Sequence, residues 1–241
     1  MVSLLASLEN TPDQELGFEY QVKRSWRKSA AIHVRAGVVE VRIPYGINQA
    51  WVEEFVYEKR HWISKKLAAM AVKTAQAPQL KWQTKLLWMG EAKTLVYVRS
   101  KKKAGKIEGE QLQIHAPQEP DQSQLSVLLQ GFFKQQAKVY LTSRTLAISE
   151  KIGLQHKLKQ VTFRRTKTKW GHCTNQGTIQ YNWLIMGAPD HVIDYLIYHE
   201  LTHLLHANHS ARYWAQVKRF YPEFELGKTW LKHNSHRLAW C

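Results

Sequence analysis

The sequence predicts an α+β protein, and three observations carry that prediction. Short alternating stretches crowd the N-terminal part, a long amphipathic stretch follows, and an apolar helix bearing His199-Glu200-Leu-Thr-His203 comes late in the chain. Phe18–Lys23 alternates apolar and polar residues and reads as a strand. Ala31–Arg35 and Val38–Ile43 do the same, joined at Ala36-Gly37 as a hairpin. Residues from Asn48 to about Ala75 read as a helix, because Trp51, Phe55 and Trp62 recur at near-helical spacing. Scattered tryptophans such as Trp51, Trp62 and Trp183 are expected to fill cores.

Strands near Thr94–Arg99 and Leu112–His115 flank the run Arg99-Ser-Lys-Lys-Lys-Ala-Gly-Lys106, which reads as a solvated hairpin tip. The stretch Ala116-Pro-Gln-Glu-Pro-Asp121 suits a linker or a helix entry. It divides the chain into a strand-rich region with one helix, 1–120, and a second domain, 121–241. From Gln124 to Lys151 an apolar stripe of Leu125, Leu128, Leu129, Phe132, Phe133 and Tyr140 predicts a long amphipathic helix ended by Gly153. Gln160–Arg164 and Thr178–Trp183 follow as short strands.

Composition bounds the function. A hydrophobic fraction of 44% over 241 residues describes a folded chain with one large core or two modest ones. Two cysteines are too few to suggest a disulfide framework and fit a reducing compartment. The start lacks a basic n-region, and no apolar run is long enough to span a bilayer. The expectation is a cytoplasmic protein without a membrane partner. A net charge of +16 favours anionic partners, nucleic acid among them, although the charges do not form one compact motif.

The chemistry lies after Gly187-Ala188. Pro189 sits where a helix can begin, and Asp190 suits the positive end of its dipole. The helix is expected to run from His191 to His206. It places His199 and His203 on one face, separated by about 6 Å of rise, so that both imidazoles can converge on one ion. Ile193, Leu196, Ile197, Leu201, Leu204 and Leu205 surround the rest, so the helix is buried and its polar residues need partners. Glu200 falls beside the ion, displaced from a ligand position and placed to take a proton from a water that the ion activates. A catalytic zinc takes three protein ligands and keeps one position open. His206 and His209 are both within reach. Helix geometry angles His206 away, whereas Asn208 can end the helix in the left-handed conformation and let the chain present His209 from outside it. Ser210 would cap a following helix, Ala211 to Phe220. Arg212, Tyr213, His233 and His236 are candidates for oxyanion stabilisation by proximity in sequence alone, and Cys173 reads as a buried structural thiol.

Arg165-Thr-Lys-Thr-Lys-Trp170-Gly171-His172-Cys173, Ile179-Gln-Tyr-Asn182-Trp183, the His199–His203 motif and Asn208-His209-Ser210 together resemble the YgjP-like metal-dependent hydrolases, relatives of SprT-like and WLM-type zincin proteases. The resemblance is specific over about residues 125–235 and weaker before them. It implies a zincin-like metallopeptidase domain with Zn2+ as cofactor, His199, His203 and His209 as metal ligands, Glu200 as catalytic base, and a peptide or protein as substrate. It also implies that Thr178–Trp183 is the edge strand that pairs with an extended substrate. His172 stands where the family usually has serine, and Ala211 where proline is common. The alternative is a basic nucleic-acid-associated protein with a mainly structural metal, or a SprT-like protease acting on DNA-bound proteins.

Overall fold

In the computed structural model, which describes residues 9–11, 16–35, 37–166 and 168–240, the chain forms two compact units, 1–76 and 77–241. In the first, β1 (Glu9–Thr11), β2 (Tyr20–Ser25), β3 (Ala31–Arg35) and β4 (Val38–Pro44) make a sheet of order β1-β2-β4-β3, with β2 parallel to β4. The β3–β4 hairpin turns at Gly37; Ala36 lies outside the described residues. Helix α1 (Gln49–Ala75) starts at Asn48, whose side chain accepts from Trp51 N. It seals the unit's core with Val52, Val56 and Ile63, against Tyr20, Val22, Val41 and Ile43.

The inward stripe of α1 corrects one expectation. Trp51 and Trp62 are 39% and 48% exposed, while the residues just after each, Val52 and Ile63, are buried. The two stripes have identical spacing, so periodicity finds the helix without finding its inward side. Trp183 is buried as expected.

The second unit begins at Ala77, ahead of the expected boundary at residue 120. Strands β5 (Lys85–Trp88), β6 (Glu91–Arg99), β7 (Ala104–Glu108) and β8 (Gln111–Ala116) form a sheet of order β5-β6-β8-β7. Its inward residues Leu86, Leu95, Leu112 and Ile114 share one core with Leu125, Leu129 and Phe133 of α2 (Gln122–Lys151). That shared core joins residues on both sides of the proline-containing stretch, which serves instead as a helix entry. There Asp121 accepts from Gln124 N and Gln124 reaches back to Asp121 N, a capping box. The lysine run is likewise not a hairpin tip. Strand β6 pairs in parallel with β8, so the run connects β6 to the outer strand β7, and the hairpin is β7–β8.

A second sheet holds β9 (Gln160–Phe163), β10 (Gly171–Cys173) and β11 (Thr178–Tyr181) in the order β10-β11-β9. Asn182 caps a 3-10 turn, Trp183–Gly187, and α3 (Asp190–Thr202), α4 (Ala211–Phe220) and α5 (Phe224–Leu238) complete the unit. Helix α3 packs on α5, α4, α2 and β10. No helix among the described residues is long and apolar enough to cross a membrane.

Candidate metal centre

Helix α3 is apolar on nearly every side, with Val192, Ile193, Leu196, Ile197 and Leu201 buried. Burial of this kind fixes the rotation of the helix and aims His199 and His203 into a cavity of about 460 Å³. The helix ends at Thr202, four residues earlier than expected, and His203 caps it. A tight turn follows, with Leu205 N and His206 N both donating to Thr202 O. Asn208 does not take the left-handed conformation, because the chain has already turned back before it. The Ser210 hydroxyl accepts from Tyr213 N at the start of α4, which anchors the segment carrying His209.

Three imidazoles converge. Nε2 of His209 lies 3.1 Å from Nε2 of His199 and 3.2 Å from Nε2 of His203. A ring nitrogen of neutral histidine either donates or accepts, so three that face one another cannot all be paired by hydrogen bonds. One cation satisfies all of them. Tetrahedral bonds of about 2.0–2.1 Å set ligand nitrogens roughly 3.3 Å apart, which is close to the separations here. The three side chains form the one cluster among the described residues whose donor atoms could hold a metal ion.

The surroundings suit neutral ligands. Nδ1 of His203 is 3.0 Å from the carbonyl of His206; donating there leaves Nε2 free as a ligand. His206 therefore serves the site through its backbone, and its ring is outside the cluster. His199 is pushed down to about 3 by burial first and then by His203, His209 and Lys228. Its Nδ1 is buried without a hydrogen-bond partner, and the rings of Tyr195, Tyr213 and Trp214 enclose it at 5.8, 5.4 and 5.9 Å. Packing rather than a hydrogen bond holds this ring.

Glu200 lines the same cavity and is 3% exposed. Burial pushes its carboxyl up to about 8, opposed by Lys169; a bound cation would act in the same direction as Lys169. The carboxylate lies against Gly171 of β10, so closely that a Cβ there would fall 2.2 Å from Oε1. Strand β10 is thus the wall of the site, and it is also the open edge of its sheet. The expectation for Thr178–Trp183 is corrected accordingly. Strand β11 is the central strand, paired on both sides, and has no free edge to offer. Buried Asn182 positions β10: its side chain donates to Thr166 O and its backbone N–H to Trp170 O, tying down the loop that leads into the strand.

Of the four residues near in sequence that were candidates for assisting the site, none lines the cavity. The Tyr213 hydroxyl is committed to the carbonyl of His199. Tyr195 lines the cavity instead, its hydroxyl pushed up to about 12 by burial and by Glu200. Its position four residues before His199, on the ligand face, was the available signal. Cys173 is half-buried rather than buried and also lines the cavity. Burial and then Glu200 push its thiol up to about 12, which keeps it protonated and a poor nucleophile.

The family model of the YgjP-like metallopeptidase domain matches residues 28–234. The chain belongs to this family. The YgjP-like match spans parts of both compact units. Among solved structures, the metallopeptidase zymogen abylysin of Pyrococcus abyssi is similar at 22% identity, over 39% of this chain and 95% of that one, with a TM-score of 0.34. No curated protein matches. As a YgjP-like metallopeptidase domain, the chain is expected to work with a metal ion, and among the described residues the histidine cluster is the place chemically suited to one.

Proposed function

We propose that this protein is a zinc-dependent peptidase whose ion is held by His199, His203 and His209, with Glu200 as general base. The observation that supports the reading best is the convergence of three imidazole nitrogens in a cavity walled by an open strand edge and a buried carboxylate. Zinc is favoured over other divalent ions because an all-histidine set of three suits it. When bound, the ion supplies Lewis acidity, activating water and polarising a carbonyl. Glu200 takes a proton from the attacking water as its oxygen bonds to the scissile carbonyl carbon. The same carboxyl then gives that proton to the departing amine nitrogen as the C–N bond breaks. Strand β10 offers backbone groups at Gly171–Cys173 to an extended substrate, which supplies affinity with little sequence choice. Tyr195 is the cavity-lining hydroxyl best suited to stabilise the oxyanion. Two cysteines in the whole chain fit a cytoplasmic setting.

The test is hydrolysis of a denatured, fluorescently labelled protein by the zinc-loaded enzyme and by Glu200→Gln. Cleavage by the wild type alone supports the reading; equal cleavage by both removes Glu200 as the base. A second reading, association with nucleic acid, is favoured by the charge of +16. It requires DNA or RNA binding that weakens steeply with salt, and no binding at low salt would dismiss it.

A further inference from the structure

The cavity around the histidines does not end there. A second cavity of about 450 Å³ shares His203 and Ala207 with it and continues past the turn that follows β10. A third, of about 170 Å³, shares Lys169 through His172 and lies at the other end of β10. All three border β10 or the turn that follows it, and β10 is the edge strand to which an extended peptide would pair. Their charge is one-sided. Lys157, Lys159 and His156 line one end, and Lys169 and His172 the other. Across all three cavities the one acidic side chain is Glu200. Neither Lys157 nor Lys159 takes part in any ion pair among the described residues.

The basic end is held in place. Lys159 N donates to Gly177 O at 2.9 Å. Gly177 has φ +86°, and a Cβ there would sit 2.2 Å from the carbonyl oxygen of Lys157. Only glycine allows this approach, which brings the lysine loop against the turn after β10. The lining cations are lysine and histidine without arginine, so the planar fork that favours phosphate is missing.

We propose that this cleft selects polypeptides carrying carboxylates on either side of the bond that lies at the histidine cluster. The inference rests on the peptidase reading and names the substrate class for the same site: acidic protein segments, the carboxylates coming from Asp and Glu side chains or from a chain end.

The experiment measures fluorescence anisotropy with zinc-loaded Glu200→Gln protein and labelled ten-residue peptides. These carry Glu on both flanks, on one flank, or Gln throughout, with a blocked or a free C-terminus. The doubly acidic peptide is expected to bind about tenfold tighter than its Gln counterpart. Substituting Lys157→Gln and Lys159→Gln together should weaken it by about fivefold and leave the Gln peptide unchanged. Replacing Lys101 and Lys102 by Gln, outside all three cavities, makes the same change in net charge and should have no effect. Comparing free and blocked C-termini tells a chain-end carboxylate from side chains. Equal binding of acidic and Gln peptides, or an equal loss in the Lys101/Lys102 control, overturns the proposal. So does a single-stranded DNA oligomer that binds more tightly than the acidic peptide and depends on Lys157 and Lys159. Hydrolysis of the same peptides by wild type is a separate reading: charge-selective binding without cleavage counts against the peptidase and leaves the cleft's preference standing.

Discussion

At the scale of the residue, the site depends on who faces whom across a few ångströms. His209 is the member that distinguishes a three-histidine set from a pair, and it stands well outside the helix that carries His199 and is capped by His203. Elemental analysis of purified protein should find about one zinc in wild type, a large loss in His209→Ala, and retention in His206→Ala, whose backbone carbonyl still meets His203. Metal lost equally from both would mean that His206 takes part through its ring. Gly171 makes an independent prediction. Its missing Cβ is what lets Glu200 lie against β10, so Gly171→Ala should keep the metal and lower kcat/KM by roughly 100-fold, the scale of displacing a catalytic group by about 1 Å. Full activity in that variant would show that Glu200 works from another position. The two histidines of the motif and Glu200 were legible in the sequence because helical spacing alone relates them. Gly171 and Tyr195 were less so. The role of glycine here is an absent atom that matters through a residue 29 positions away (200 − 171), and the tyrosine reads as one more apolar residue on a buried helix.

At the scale of the element, α3 is pinned to α2 as well as packed on it. Arg144 donates through Nε and Nη2 to both carboxylate oxygens of Asp194, at 2.8 and 2.6 Å, and the Tyr140 hydroxyl donates to Asp190 at 2.7 Å. Arg144 is close to half exposed and Asp194 is 15% exposed, so solvent screens much of the attraction. Asp194→Ala should therefore cost about 1 kcal/mol in chemical denaturation, with metal content unchanged because the apolar faces of α3 still fix its rotation. A loss of metal at unchanged stability would instead make this clamp part of the site's alignment. Elements with strong periodicity, α1, α2 and α4, were legible nearly to the residue. Those missed were β1, β5, β7, β10 and α5. The strands are short, and β7 and β10 carry too few apolar residues to alternate visibly. Helix α5 buries only Phe224, Gly227, Leu231 and Leu238, a stripe interrupted by polar residues. The edge strand was misassigned for the same reason: β11 has the apolar signature of a strand because it is central, and the edge that faces the site is the less apolar one.

At the scale of the molecule, the described residues form two cores that share no residue. One is made by Tyr20, Val22, Val41, Ile43 and the inward face of α1; the other joins the β5–β8 sheet, α2 and the helices around the histidine cluster. The sequence signals a break most strongly where two prolines cluster, yet the compact units divide at Gln76, where α1 ends and a single proline, Pro78, follows. Chain breaks and core boundaries are different quantities: prolines report local backbone constraint, whereas a core boundary depends on which distant apolar faces meet. A core of its own is what a domain needs to fold alone, and every histidine of the cluster, Glu200 and β10 lie within 77–241. A fragment of residues 77–241 is therefore expected to be folded, to unfold cooperatively, and to bind zinc with the stoichiometry of the full chain. Circular dichroism and elemental analysis on the purified fragment check this. A fragment cut at the proline stretch, 121–241, should fail the same test, because it removes Leu86, Leu95, Leu112 and Ile114 from the core that supports α2. If 121–241 folded and bound zinc while 77–241 did not, the boundary would lie at the prolines after all, and the β5–β8 sheet would belong with the N-terminal unit.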